Sequence, residues 1–168
     1  MRELGSAPVP PPGQDDHLRG PAQAPLLIVY ADFECPFCAL LHRRLAAVET
    51  RVAFRHFPVR SSHPRAWAAT CAAEAAGLQG RFWEMHDALF ADQGRLEDPH
   101  LWEHARRLGL ELGRFDAARR SESVMARVRR DFESWVRGGV VSTPTAFAVD
   151  AGGVRAVDAR SWGPSDGA

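Results

Sequence analysis

The sequence contains no lysine, so each of its 21 lysine-or-arginine positions is an arginine. Phosphate-binding loops of the Walker type and Schiff-base catalysis both require a lysine, and both are therefore excluded. The chain also has no excess of either charge, because 21 acidic side chains balance the 21 basic ones. Proteins that bind nucleic acids carry a basic surface, and we predict no nucleic-acid partner.

Long apolar runs and abundant cysteines are also missing. No run approaches the roughly 18 residues that span a membrane, and the start, MRELGSAPVPPPGQDD, lacks the apolar segment of a signal peptide. We therefore expect no membrane insertion and a cytoplasmic location. The chain has only three cysteines among 168 residues, but its 45% hydrophobic content is enough to form one core without disulfide crosslinks.

The pattern of apolar residues predicts an α/β fold. A continuous apolar run over 24–31 indicates a buried strand, and Pro36 lies where a helix could begin. A second strand is predicted at 51–59, and the pattern is helical almost throughout 63–138. Two short strands then flank the turn at 151–153, which is typical of a hairpin.

This order of elements predicts four segments. Residues 1–24 form a flexible, proline-rich tail, because proline favours an extended linker. Residues 25–62 and 139–160 form an α/β core, into which residues 63–138 are inserted as a helical domain. Residues 161–168 form a second tail.

Two of the cysteines, Cys35 and Cys38, enclose Pro36 and Phe37 at the predicted start of the first helix. Unpaired N–H groups and the positive end of the helix dipole would favour a thiolate at Cys35. Cys38 lies one helical turn further on, within reach of Cys35. We therefore predict that Cys35 is a nucleophile and that Cys38 resolves its mixed disulfides. Phe37 is expected to influence the redox potential or to contact substrate.

Other roles for the two cysteines stay open. A structural zinc site needs four ligands, and only Cys71 and scattered histidines could complete one. A static disulfide is disfavoured in a reducing cytosol. His100 and His104 share a helix face at a spacing of four residues, but without a third ligand they are weak candidates for a metal site.

A second element is the segment VSTPT, which contains Thr143 and Pro144 directly before a predicted strand. Proline at this place is most often a residue of an edge strand. Together with an upstream Cys-x-x-Cys it suggests instead that the Thr143–Pro144 peptide is cis and that the chain turns here toward the cysteines.

The segments DFECPFC, FRHFPV, GRFWEMHDALF and STPTAFAVD occur in this order, and together they resemble the DsbA-like thioredoxin-fold oxidoreductases. The similarity is greatest to a bacterial subgroup found as soluble proteins and as extensions of sodium/proton antiporters, and it covers about residues 15–158. It implies a thioredoxin-like α/β fold with a helical insertion. Members usually end in a further helix, whereas DARSWGPSDGA is short and rich in turns, so we expect the C-terminal helix to be missing.

The resemblance implies a protein thiol–disulfide oxidoreductase that needs no cofactor or metal. Cys35 would be the nucleophile and Cys38 the resolving partner in a redox-active disulfide, with Pro144 as the cis-proline beside them. The backbone of Thr143 would pair with a peptide substrate as a strand does. The expected partners are protein or peptide thiols and disulfides, and an unidentified redox protein that recycles the pair.

Two rival functions come from other classes. The first is a glutathione-dependent transferase or isomerase that acts on small molecules, although such relatives generally lack the second cysteine. The second is a redox-sensing or zinc-binding module without turnover.

Several neighbouring side chains have expected roles of their own. Asp32 and Glu34 could influence proton transfer at the thiols, but solvated loop acids are the simpler interpretation. His42, a lone histidine on a helix, is expected to be structural. Four aromatic residues are expected to form core, with some of them lining a groove for unfolded peptide: Trp67, Phe82, Trp83 and Phe90.

Overall fold

The computed structural model describes residues 9–162. Five strands form one mixed sheet in the order β1-β3-β2-β4-β5. The strands are β1 (His17–Arg19), β2 (Leu26–Ala31), β3 (Arg51–His56), β4 (Thr145–Asp150) and β5 (Gly153–Val157). Strands β2 and β3 are parallel, and the other three pairs are antiparallel.

Six helices are present in the described residues, and five of them lie between β3 and β4. They are α1 (Pro36–Ala46), α2 (Ala66–Gly77), α3 (Phe82–Ala91), α4 (Asp98–Arg107), α5 (Leu112–Arg119) and α6 (Glu122–Arg137). A short 3-10 turn, Ala159–Ser161, follows β5. The observed architecture is the thioredoxin-like α/β fold that the sequence predicted. None of the helices in residues 9–162 is long and apolar enough to cross a membrane.

Strand β2 is buried on both faces of the sheet, which explains why it is a continuous apolar run. Successive side chains of a strand point to opposite faces. Leu27 and Val29 accordingly join a large cluster with helices α1 to α5, while Ile28 and Tyr30 pack on the other side with Phe57 and neighbouring residues. Strand β2 thus runs through the middle of the core, and its C-terminal end leads directly into the loop that carries the cysteines.

The predicted tail over 1–24 needs correction for residues 9–24. Residues of β1 pair with β3, and Val9 is buried in the second core cluster. Arg55 of β3, only 4% exposed, donates hydrogen bonds to the carbonyl oxygens of Pro10 and Pro11 and to the carboxylate of Asp16. A buried guanidinium requires such partners. The segment is therefore ordered because the buried guanidinium of Arg55 in β3 needs these hydrogen-bond acceptors. The proline content of the segment gives no indication of this contact.

The remaining segment boundaries stay predictions. Residues 1–8 and 163–168 lie outside the described residues, and so do the corresponding parts of the two predicted tails. The predicted lack of a C-terminal helix also depends on residues 163–168 and is not decided by the described part of the chain.

Candidate active site

The two cysteines lie at the junction between the end of β2 and the start of α1. Cys35 is the N-cap of α1 in an extended conformation, and Pro36 occupies the first turn, where its missing N–H leaves no hydrogen bond unmade. The backbone N–H groups of Cys38 and Ala39 both donate to the Cys35 carbonyl oxygen. Both thiols are free and buried. The sequence correctly predicted that the helix begins at this proline.

The environment gives the two thiols opposite acidities. The pKa of Cys35 is lowered from 9.0 to about 5, and the largest cause is a hydrogen bond from Cys38. Burial acts in the opposite direction. Hydrogen bonds from backbone N–H groups and from the Thr143 side chain lower the pKa further. Burial, followed by the hydrogen bond to Cys35, raises the pKa of Cys38 strongly. The N–H of Asp32 lies 3.4 Å from the Cys38 Sγ. Near neutral pH, Cys35 is therefore the thiolate and Cys38 keeps its proton.

The predicted second element meets the cysteines. The Thr143–Pro144 peptide is cis, as predicted from the sequence. The Thr143 carbonyl oxygen lies 3.9 Å from the Cys35 Sγ, across a separation of 108 residues. Pro144 and Phe37 line a common groove on one side of this contact. The predicted site residues Cys35, Pro36, Phe37 and Cys38 thus lie at the start of α1, with Thr143 and Pro144 beside them.

Asp32 is fully buried, so the interpretation as a solvated loop acid was wrong for this residue. One carboxylate oxygen accepts a hydrogen bond from the N–H of Glu34 at 2.7 Å. The other accepts from the N–H of Val59 at 2.8 Å and lies 2.9 Å from Nδ1 of His63. This carboxylate ties the cysteine loop to the segment that follows β3.

Glu34 and Gln93 hold the same loop from the other side. The carboxylate of Glu34 accepts hydrogen bonds from the backbone N–H and from Nε of Arg65, so this acid is also engaged. The Gln93 side-chain amide donates to the carbonyl oxygens of Phe33 at 2.7 Å and of Cys35 at 2.9 Å. Sequence analysis missed His63, Arg65 and Gln93, because each is about 30 residues or more from its partner and no local pattern marks it.

A groove of about 1150 Å³ opens beside Cys35. Its described lining contains arginine and histidine side chains but no carboxylate. Arg60 lies over the ring of Trp67 at 5.1 Å, and Phe37 is 67% exposed at the edge of the groove. The apolar lining consists largely of residues from the segment after β3 and from α6: Phe57, Val59, Trp67, Met125, Phe132, Trp135 and Val141.

The four aromatic residues singled out in the sequence divide between two roles. Trp67 lines the groove beside Cys35. Phe82 and Phe90 are buried in the large core cluster, and Trp83 is partly buried against it. The prediction of a core position is confirmed for Phe82, Phe90 and Trp83, and a role of Trp67 in binding unfolded peptide stays a prediction.

Two sets of three side chains bring potential metal ligands together in the described part of the chain, and neither contains a cysteine. The first set is His17, His56 and Glu74. One oxygen of Glu74 lies 2.6 Å from Nε2 of His56 and 2.8 Å from Nε2 of His17. Two ligands of one tetrahedral zinc ion would be about 3.3 Å apart. These spacings are those of hydrogen bonds, and we assign no metal here.

The second set is His42, His86 and Asp87. Arg19 donates to both carboxylate oxygens of Asp87 at 2.8 Å, and a guanidinium in that place repels a metal cation. We therefore interpret this set as a hydrogen-bonded network as well. The candidate ligand His104 lies in neither set, and its Nε2 is 3.3 Å from the Arg95 carbonyl oxygen.

Comparison with known proteins gives a consistent result. The thioredoxin family model named Thioredoxin_4 matches residues 13–152. A thioredoxin-like oxidoreductase from Silicibacter pomeroyi is 21% identical, with a TM-score of 0.73 over 87% of this chain and 86% of that one. Wolbachia pipientis alpha-DsbA1 is 23% identical, with a TM-score of 0.67 over 90% of this chain and 80% of that one. At these identities the solved structures establish the fold.

Curated relatives include longer proteins named for another activity. A protein from Salinispora arenicola named Na(+)/H(+) antiporter NhaA 1 is 41% identical over 145 residues, which are 83% of this chain and 22% of that protein. A protein of the same name from Mycolicibacterium gilvum is 41% identical over 141 residues, with 23% of its length covered. The chain thus spans about a fifth of the length of these relatives.

Proposed function

The chain belongs to the thioredoxin family, and from that premise we propose that it is a DsbA-like thiol–disulfide oxidoreductase that exchanges disulfides with protein substrates through Cys35 and Cys38. The proposal rests mainly on one observation. Two neighbouring thiols lie at the N-terminus of α1 beside the cis Thr143–Pro144 peptide, and their surroundings lower the pKa of Cys35 to about 5 and raise that of Cys38. A pair that only formed a structural crosslink would have no need of this difference.

The reaction needs only these two thiols. The Cys35 thiolate attacks one sulfur of a substrate disulfide and forms a mixed disulfide, and the other substrate sulfur leaves as a thiolate that takes up a proton. Cys38 then loses its proton and attacks the Cys35 Sγ, so that the Cys35–Cys38 disulfide forms and the second substrate thiol is released. The substrate is reduced by two electrons. The reverse sequence oxidises a dithiol substrate.

A protein substrate fits the surroundings of Cys35. The carbonyl oxygen of Thr143 lies beside the Cys35 thiol, where an extended peptide could pair with the backbone as an added strand. The adjoining groove is largely apolar and of sufficient volume for several side chains of such a peptide. A redox partner must restore the pair after each turnover, and it would reach the same thiols.

The two rival functions are less well supported. A glutathione-dependent transferase would have no use for the second thiol, which here contacts the first. A zinc-binding module would need two more ligands near Cys35 and Cys38. Cys71 packs with Val124 and Val128 in a separate cluster, and no set of potential ligands in the described residues includes a cysteine.

The proposal is tested by insulin reduction together with the trapping of substrates. Cys38→Ala should accumulate covalent adducts with protein substrates that dithiothreitol releases, whereas Cys35→Ala should trap none. Cys71→Ala is the matched control, because this third thiol is buried away from the pair, and it should behave like the wild-type protein. The trapped proteins would also include the recycling partner.

Three outcomes would contradict the proposal. Wild-type turnover in Cys38→Ala would indicate a monothiol, glutathione-dependent mechanism. Stoichiometric zinc in the purified protein, lost in Cys35→Ala, would indicate a metal-binding module. Lack of insulin reduction and of trapping would exclude disulfide exchange with proteins.

The proposal concerns the DsbA-like domain alone, since the chain matches only a fifth of its antiporter-named relatives. The cytoplasmic location inferred from the sequence is part of the same proposal. Alkylation of the protein in intact cells with a membrane-impermeant thiol reagent tests it, since a cytoplasmic Cys35 should be protected.

A further inference from the structure

A small cavity lies on the side of Cys38 that faces away from the substrate groove. Its volume is about 30 Å³, which is enough for one water molecule. The lining residues with polar groups are Cys38 and His42 of α1, Trp83 and His86 of α3 and Arg19 of β1, and the others are apolar. No carboxylate lines this cavity.

Cys38 must lose its proton to resolve a mixed disulfide, and burial makes that loss difficult. The carboxylate of Asp32 is nearby in sequence, but its two oxygens already contact the N–H groups of Glu34 and Val59 and Nδ1 of His63. A guanidinium has no lone pair with which to accept a proton. The histidines of the cavity are the remaining candidates.

His42 is the better placed of the two histidines. It follows Cys38 by four residues on α1, so the two side chains project from the same face of the helix. The His42 side chain is 19% exposed and can pass a proton on to solvent. His86 is buried, and its Nδ1 is 2.9 Å from a carboxylate oxygen of Asp87; burial lowers its pKa to about 3, which makes it a poor acceptor.

The charged groups around His42 suit a residue that is neutral at rest. Burial lowers the pKa of His42, and the neighbouring cations Arg19 and Arg43 act in the same direction. Asp87 opposes them, with a carboxylate oxygen 3.8 Å from Nε2 of His42. The imidazole ring of His42 is stacked on the ring of Phe90, with 5.1 Å between the ring centroids. A neutral imidazole has a free nitrogen lone pair, and Asp87 would stabilise the imidazolium formed when a proton arrives.

We propose that His42 accepts the proton of Cys38, through one water molecule in this cavity, during resolution of the mixed disulfide. This inference rests on the proposed oxidoreductase function and extends it. The proton moves from the Cys38 Sγ to the water while a proton of the water moves to His42. The Cys38 thiolate then forms a bond to the Cys35 Sγ, the bond between Cys35 and the substrate sulfur breaks, and the substrate leaves as a thiolate. His42 releases its proton to solvent.

Oxidation of the reduced protein by glutathione disulfide tests the step directly. Samples are quenched with acid at successive times, and mass spectrometry follows the Cys35–glutathione adduct and its conversion to the Cys35–Cys38 disulfide. His42→Phe keeps a ring against Phe90 but removes the nitrogens. The adduct should then convert at least about tenfold more slowly near neutral pH, since general base catalysis typically contributes 10²–10⁴-fold.

Two further readouts separate proton transfer from a structural role. The wild-type conversion rate should fall as the pH drops below the pKa of His42, and His42→Phe should lose this acid limb. Added imidazole should speed conversion in His42→Ala without changing the wild-type rate. His100→Phe is the matched control, because His100 lines a separate pocket on α4, and it should convert at the wild-type rate.

The outcomes distinguish the proposed function of the protein from the role of His42. If the wild-type protein forms neither adduct nor disulfide, the proposed function fails and this inference with it. If the wild-type protein is oxidised but His42→Phe has the same rate and pH profile, only the role of His42 is refuted. Loss of the acid limb in Asp32→Asn, with the limb retained in His42→Phe, would assign the proton to Asp32 instead.

Discussion

Replacing Cys38 by serine or by alanine should separate the hydrogen bond that activates Cys35 from the other influences on it. Serine keeps a donor of similar size, and alanine removes it. The pKa of Cys35 is lowered from 9.0 to about 5, and the hydrogen bond from Cys38 is the largest cause. Four pKa units at about 1.4 kcal/mol each correspond to roughly 5 kcal/mol of preference for the thiolate.

A hydrogen bond to a charged group contributes about 1.5–3 kcal/mol, or roughly one to two pKa units. We therefore expect the pKa of Cys35 to rise to roughly 6 or 7 in Cys38→Ala and to stay close to about 5 in Cys38→Ser. The backbone N–H groups at the start of α1 and the side chain of Thr143 account for the part that alanine does not abolish.

Thiolate absorbance and the rate of alkylation by iodoacetamide, each followed against pH, measure this pKa. Cys71→Ala should be present in every variant, so that only one thiol titrates in the two substituted proteins. Cys71 would in any case contribute little, because burial raises its pKa to about 11. Equal midpoints for the serine and alanine variants would refute the role of the hydrogen bond. A midpoint near the free-thiol value of ~8.5 with Cys38 intact would refute the activation of Cys35 altogether.

Three further predictions follow from the same site. The reduction potential of the Cys35–Cys38 pair, measured against glutathione buffers, should lie between about −270 mV, the value of thioredoxin, and about −120 mV, the value of DsbA. The nucleophilic thiols of those two proteins have pKa values on either side of about 5. A more negative potential than about −270 mV would contradict the stabilisation of the Cys35 thiolate. Because the folded-state pKa of Cys35 is about 5 and the unfolded value is ~8.5, the thiolate stabilises the reduced protein fully above pH ~8.5. Its contribution falls with pH and is lost below 5, so urea unfolding of wild-type and Cys35→Ala proteins should show stability curves that converge in acid. Gln93→Leu removes the donor to the carbonyl oxygens of Phe33 and Cys35 and should lower the free energy of unfolding by roughly 1–3 kcal/mol, whereas the exposed Gln14→Leu should change it by less than about 0.5 kcal/mol.

Local patterns were sufficient for most of the elements and for the reactive pair. A strand buried on both faces must be apolar throughout, and β2 is. A proline at the first turn and a cysteine before it place Cys35 at a helix N-terminus whatever the rest of the chain does. The proximity of Cys38 follows from helical geometry alone. These features depend on interactions between residues a few positions apart, and for that reason they could be predicted from the sequence.

The side-chain contacts around the cysteine pair depended on the tertiary structure. Asp32 read as an ordinary loop acid, and only the packing of the segment after β3 buries it against Val59 and His63. Gln93 carries no local signal, yet it holds two carbonyl oxygens of the cysteine loop. Helical spacing alone put His42 on the same face as Cys38. The cavity between them exists because α3 and β1 close over that face.

Residues 9–24, at the N-terminal end of the described chain, show most plainly what local sequence patterns could not predict. Their prolines and polar residues indicate an extended linker, and that local tendency is real. Arg55, far along the chain in β3, is buried and donates its hydrogen bonds to the carbonyl oxygens of Pro10 and Pro11 and to the carboxylate of Asp16. The sequence by itself determined most of the strands and helices, though not β1, and placed Cys35 at a helix N-terminus. Which distant side chains satisfy a buried charge, or accept a buried proton, was decided only when the sheet and helices packed together, because burial is a property of the whole fold.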